Sequence, residues 1–144
     1  MKIIVGLGNP GASYENTRHN AGFLALDFLH NKLSGTPWTE KKKLCCFFSE
    51  CIFDGEKILL IKPTTFMNDS GQTVKKVLSF YKLTPDALIV IHDDIDILSG
   101  TLRNTTSSRA AGHNGVSDII NHLGTQDFRR SRIGVGRPTE VLGV

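Results

Sequence analysis

Two short apolar runs constrain this chain more than any other feature: Ile3-Ile4-Val5, within residues 2–7, and Ala87-Leu88-Ile89-Val90-Ile91. A strand whose alternation is apolar on both sides is buried on both faces, and such strands belong to sheets covered by helices. The intervening segments supply those helices. Phe23, Leu24, Leu26, Phe28, Leu29 and Leu33 recur at helical spacing, with Gly35 as the stop. Val74, Val77, Leu78 and Tyr81 form a second stripe, opened by Asp69 or Ser70. Val116, Ile119, Ile120 and Leu123 form a third, capped by Asn114 and ended by Gly124. Residues 44–53 and 56–61 are separated by Asp54-Gly55, a two-residue hairpin signal that adds antiparallel pairing. A final strand is expected over residues 131–136. The expected architecture is α/β, a mixed β-sheet flanked by helices in a single domain over residues 1–144, with no repeat and no linker.

Several classes of protein are disfavoured at once. No apolar run approaches the ~20 residues needed to cross a bilayer. The first strand begins at the N-terminus with no signal-like apolar region before it. Cys45, Cys46 and Cys51 are odd in number and lie in a strand-like run, with Cys45 and Cys46 expected on opposite faces. They read as packed or half-exposed thiols rather than as a disulfide framework. A cytoplasmic location, with no membrane partner, is the expectation. The net charge of +3 is mild and does not by itself require a nucleic acid.

Gly6-x-Gly8-x-x-Gly11 follows a strand and matches the dinucleotide-binding spacing. Its context does not. Pro10 removes a backbone N–H where a pyrophosphate needs one, the helix begins some ten residues later, and Asp27 falls within the helical stripe instead of ending a second strand. The polar residues are more informative. Asn9 follows the first strand, Thr17-Arg18-His19-Asn20 precedes the first helix, and Met67-Asn68 precedes the second. His92-Asp93-Asp94 follows the central strand, and Gly112-His113-Asn114-Gly115 opens the third helix. Ligands of open α/β sheets bind at the carboxyl ends of the strands beside helix N-termini. Such a rim suits hydrolysis: a histidine held by a carboxylate takes a proton from water, while neutral amides orient an ester and stabilise its oxyanion. No G-x-S-x-G elbow, Cys–His neighbourhood, H-E-x-x-H or paired C-x-x-C is present, so neither a covalent nucleophile, a metal nor a cofactor is indicated.

These segments carry a family resemblance. Gly6-Leu-Gly-Asn-Pro-Gly11, Tyr14, Thr17-Arg-His-Asn20, Lys62-Pro63, Thr65-Phe-Met-Asn68, Ser70-Gly71, His92-Asp-Asp94 with Asp96 and Gly100, Gly112-His-Asn-Gly115 and Arg132-Ile-Gly-Val-Gly-Arg-Pro138 resemble, in order, the bacterial peptidyl-tRNA hydrolase family. The resemblance implies a monomeric, metal-free enzyme that hydrolyses the ester between a peptide and the ribose of tRNA. It further implies that His19 is the general base and Asp93 the carboxylate that orients it. Asn9, Asn68 and Asn114 become the amides that hold the peptide and the tRNA 3′ end, and Tyr14, Met67 and His113 line the cleft. His30 and His122 lie outside these motifs and read as surface or packing residues.

On the tRNA side, Arg103, Arg130 and Arg132 are candidate phosphate contacts within an arginine-rich C-terminal third that also holds Arg109, Arg129 and Arg137. Lys41-Lys42-Lys43 form a second basic cluster. The chain departs from the family pattern at Thr105-Thr-Ser-Ser-Arg-Ala-Ala111, where the family is rich in Gly and Ser, and at Leu98, where it usually has proline. It also ends at Val144, before the lid and closing helices that relatives carry. From that ending we expect an assembled but more open cleft and a tendency to associate. Two other functions compete with the enzyme: an RNA-binding relative of the same fold that has lost hydrolysis, and, more distantly, a dinucleotide-dependent oxidoreductase.

Overall fold

The two apolar runs lie side by side at the centre of one sheet. The computed structural model of the protein describes residues 1–11 and 20–135. In it β1 (Lys2–Gly6) is flanked on one side by β4 (Glu56–Pro63) and on the other by β5 (Leu88–Asp94), both parallel to it. Outside β4 lie β3 (Cys46–Phe53) and then β2 (Thr39–Lys41), each antiparallel to its neighbour. Outside β5 lies β7 (Arg129–Gly134), parallel to β5, and then β6 (Leu102–Thr106), antiparallel to β7. The described residues thus form a seven-stranded mixed sheet in the order β2-β3-β4-β1-β5-β7-β6.

Helices cover both faces, which is why the bodies of the central strands, Ile3–Val5 and Leu88–Ile91, are apolar throughout. On one face α2 (Ser70–Phe80) and α3 (Asn114–Leu123) bury Val74, Val77, Val116 and Ile119 against Ile3, Val5, Leu59 and Val90. On the other, α1 (Ala21–Lys32) sets Leu26 among Cys51, Ile58, Leu60 and Ile91. Each such buried aliphatic side chain contributes about 1.5–3 kcal/mol. The hairpin forms at Asp54-Gly55 as expected, and both residues adopt positive φ, 50° and 76°, the twist that a two-residue hairpin turn requires.

Several expectations need correction. Cys45 is not on a strand: it ends the short turn Lys42–Leu44 with φ of 55°, and Cys46 and Cys51 are the buried pair on β3, in clusters on opposite faces. Burial pushes the Cys46 thiol up to about 11, so it stays protonated and packs as a small apolar group. The stripe of α1 is narrower than its sequence suggests, because Leu24 and Phe28 are exposed. The last strand runs over Arg129–Gly134 instead of 131–136. The polar strands β2 and β6 carried no apolar alternation to reveal them; β6 has Thr105 alone partly buried.

One backbone approach holds α1 in place. A Cβ added at Gly22 would stand 2.5 Å from the Ile91 carbonyl oxygen and 2.5 Å from the Leu7 nitrogen, neither of which can yield without opening the β1–β5 junction. Gly22→Ala is expected to destabilise the fold by about 1–3 kcal/mol or more. Urea titration checks this as a lowered midpoint at unchanged slope.

Candidate active site

Asn9 follows β1, and three hydrogen bonds determine its orientation. Its Oδ1 accepts from the Met67 backbone N–H at 2.7 Å. Its own backbone N–H donates to Asn20 Oδ1 at 2.8 Å, and Asn20 Nδ2 donates back to the Asn9 carbonyl at 3.1 Å. Because the Met67 N–H needs an oxygen, the Asn9 side chain must present its Nδ2 elsewhere, as a hydrogen-bond donor. Asn20, 2% exposed, is the brace. It is part of a sequence motif, but nothing in its residue type announced this role.

Met67 joins three segments. It is buried in the turn Met67–Asp69 that leads into α2, and its sulfur packs where α3 begins. A Cβ at Gly115 would stand 2.7 Å from Met67 Sδ and 3.2 Å from His113 Cε1, so glycine is the residue that lets the two elements close. Asn68 and Asn114 flank this joint and are both exposed. Asn114 is not the cap expected from its type. The cap is His113, whose Nδ1 accepts from the Val116 N–H at 3.2 Å.

That bond settles the imidazole's tautomer. With Nδ1 as acceptor, Nε2 carries the proton and donates to Asp93 Oδ1 at 2.8 Å. Asp93, 3% exposed, stands at the end of β5. His92 packs edge-on against His113 with ring centroids 4.6 Å apart, and its Nδ1 bonds the Asp93 carbonyl at 2.7 Å. Burial, together with the neighbouring His113, lowers the His92 pKa to about 4, leaving it neutral at physiological pH. The three side chains border a cavity of about 130 Å³ that Asp94, Arg109 and Arg132 complete. A wider groove of about 440 Å³ opens on the far side of Asn9, past Asn20, Phe23 and Lys62.

The structure therefore brings Asn9, Met67, Asn68, Asp93, His113 and Asn114 to one rim. Tyr14 and His19 lie outside the described residues. The three candidate phosphate arginines separate. Arg103 is exposed on β6, in register with Arg132 on β7, and Arg132 Nη1 donates to Asp94 Oδ2 at 3.2 Å. Arg130 is 1% exposed. Its guanidinium donates to Ser108 Oγ and the Arg109 carbonyl, both at 3.0 Å, and to the Gln126 carbonyl at 2.8 Å, over the Phe128 ring. These bonds make it a structural clamp on the loop that precedes α3. Residues 130 and 132 share a face of β7; the loop before α3 closes over the Arg130 guanidinium, while Arg132 is half-buried beside the Asp93 cavity.

A mixed α/β sheet with carboxamides and an imidazole–carboxylate pair gathered at its carboxyl-end rim defines a domain built for acid–base chemistry on a bound ligand. Residues 3–143 match the family model described as peptidyl-tRNA hydrolase, and the chain belongs to the peptidyl-tRNA hydrolase family. It is 52% identical to the peptidyl-tRNA hydrolase of Brevibacillus brevis over 138 residues, 96% of this chain and 72% of that one. It is 51% identical to that of Exiguobacterium sibiricum over 144 residues, all of this chain and 77% of that one. The crystal structure of the Acinetobacter baumannii peptidyl-tRNA hydrolase superposes with a TM-score of 0.91 at 38% identity, covering 99% of this chain and 74% of that one.

Two outcomes follow from the buried groups. His92 binds its proton more weakly folded than unfolded, so its stabilising contribution is complete above about pH 6.5 and is lost as pH falls toward 4. The loss amounts to about 3 kcal/mol, and urea titrations across that window should show it, with a flatter dependence in His92→Asn. Arg130→Ala removes a buried guanidinium that makes three hydrogen bonds and should cost at least about 2 kcal/mol, read as a lower thermal midpoint.

Proposed function

We propose that this chain hydrolyses the ester joining a peptide to the ribose of tRNA, using water activated by histidine. The observation that carries this reading is the family match over residues 3–143, on a chain whose rim holds Asn9, Asn68, Asp93, His113 and Asn114 together. In the proposed reaction His19 takes a proton from water as the resulting hydroxide attacks the ester carbonyl carbon. The carbon–oxygen bond to the ribose then breaks, and the departing ribose oxygen receives the proton from the His19 imidazolium. The products are free tRNA and the peptide's carboxylic acid, which loses its proton to solvent to give the carboxylate.

The carboxamides of Asn9, Asn68 and Asn114 serve as neutral donors and acceptors to the peptide and the tRNA 3′ end. Support for Asn9 comes from its bond to the Met67 N–H, which occupies the amide oxygen and leaves the amide nitrogen to serve as a donor for a carbonyl or oxyanion. Asp93 orients His19. A carboxylate accepts several hydrogen bonds, so the bond from His113 is compatible with one from a second imidazole. Met67, Tyr14 and His113 line the cleft, and Arg103 and Arg132 meet tRNA phosphates. The protein acts as a monomer in the cytoplasm. Among the described residues, no helix is long and apolar enough to cross a membrane.

Release of labelled peptide from peptidyl-tRNA tests the reading directly. His19→Ala is expected to lower turnover by about 10²–10⁴ with an unchanged circular dichroism spectrum, and a variant retaining half the activity overturns the assignment. A wild-type chain that binds tRNA without cleaving the ester would establish the non-hydrolytic alternative. Asp93→Asn should reduce kcat less than His19→Ala and move the acid limb of the pH–rate profile to lower pH, because imidazolium loses its stabilising anion.

A further inference from the structure

The lysine cluster at 41–43 gains a partner in the fold. Cys46 pairs with Pro63 at the carboxyl end of β4, which places the Lys42–Leu44 turn on the same rim as Asn9 and Asp93. Two bonds fix it there: the Cys45 carbonyl accepts from the Thr64 N–H and from Thr73 Oγ1, each at 2.8 Å. Beside it runs the outer face of α2, where Gln72, Lys75, Lys76 and Ser79 repeat at helical spacing from the Met67–Asp69 turn that carries Asn68. Between turn and helix lies a concavity of about 500 Å³ bordered by Lys43, Gln72, Lys75, Lys76, Phe80 and His122.

Its chemistry is one-sided. Among the described residues Lys41, Lys42, Lys43, Lys75 and Lys76 enter no ion pair with a carboxylate. Asp118, on the neighbouring α3, is engaged by the Gly71 N–H at 2.8 Å and by His122 at 3.4 Å. Lys41 sits over the Phe48 ring at 4.2 Å and near those of Phe80 and Tyr81 at 5.6 and 6.0 Å, which holds an aromatic wall at the groove's end. Phe80 is 60% exposed there. Lys76 Nζ donates to Cys45 Sγ at 3.6 Å and Lys41 Nζ to the Tyr81 hydroxyl at 3.5 Å, neutral partners that leave the charges uncompensated. Lysines bordering a concave face that ends in an exposed ring fit a phosphodiester chain with a base to stack.

Resting on the function proposed above, we infer that this groove binds the backbone of the substrate's RNA as it leaves the ester site. The lysines of α2 lie roughly 10 Å along the helix axis from the Asn68 turn, so an RNA whose 3′ end is held at Asn68 passes within reach of them. The groove is distinct from the Arg103–Arg132 pair, which stands at the opposite edge of the sheet.

The test compares K43Q/K75Q/K76Q with a control of equal charge change, K2Q/K32Q/K57Q, whose residues sit at the other end of the strands and helices. Binding of deacylated tRNA is followed by fluorescence anisotropy over a range of NaCl concentrations. The groove variant should lower the slope of log K against log salt by about 2, at 0.7–0.9 per phosphate contact, and the control should leave it unchanged. KM for peptidyl-tRNA should rise about tenfold with kcat preserved, since no group at the ester is altered. Equal slopes for wild type and groove variant, or an equal loss in the control, overturns the inference. A wild-type chain that cleaves no peptidyl-tRNA overturns the functional reading instead, and the anisotropy comparison still decides the groove.

Discussion

Burial of β1 and β5 on both faces is the constraint on which the rest of the structure depends. Ile3, Val5, Leu88 and Val90 are fully buried on the α2–α3 face, and on the α1 face Ile91 is buried and Ile4 half-buried, so a polar side chain along the body of these strands would lose most of its water with nothing to replace it. Polar chemistry is displaced to the one place where the strands stop and the chain turns into loops and helix N-termini. Asn9 lies three residues beyond β1, and Asp93 is the penultimate residue of β5. The clustering of site residues follows from the burial of the sheet as much as from the chemistry they perform.

At that rim each buried polar group is held by bonds that also orient its neighbour. Asn20 closes two bonds on the Asn9 backbone, so the entry to α1 and the exit from β1 form one rigid corner. The Met67 N–H points the Asn9 amide, and the Val116 N–H selects the His113 tautomer that can donate to Asp93. Backbone N–H groups thus orient two side chains that rotamer preferences alone would leave free to flip. Pre-set donors of this kind avoid a reorganisation cost when charge develops on a substrate.

The parts legible in the sequence are those where one physical signal dominates. Continuous apolar runs revealed β1 and β5, Asp54-Gly55 revealed the hairpin, and the stripes of α2 and α3 matched the buried Val74, Val77, Val116 and Ile119. The polar rim was legible because Asn, His and Asp recur at the ends of elements. What escaped depends on tertiary partners. Leu102–Thr106 is a strand because β7 pairs with it, and its polar composition carries no trace of that. Arg130 looks like any surface arginine until Ser108, Arg109 and Gln126 close around its guanidinium. Asn114 has the preferred cap type, yet the chain enters α3 one residue earlier and an imidazole takes the cap.

Charge is distributed around this rim in a way that suits the proposed reaction. Arginines 103 and 132 lie toward one edge of the sheet and the lysines of the β3–α2 side toward the other, about two strand spacings, roughly 10 Å, from the central β1–β5 pair. At the centre the donors proposed to meet the ester are neutral amides. A lysine or arginine there would stabilise an oxyanion more strongly, but it would also hold the peptide carboxylate that hydrolysis releases and draw RNA phosphates onto the catalytic groups. Neutral carboxamides favour the transient oxyanion through their geometry while binding the product carboxylate only weakly. Nearer the centre, Lys62 is held by Asp27 and Arg132 by Asp94, and the lysines farther out can still supply salt-dependent affinity for the tRNA. Separating affinity from chemistry in this way requires neutral side chains that remain oriented without charge, which is what the backbone bonds to Asn9 and His113 provide.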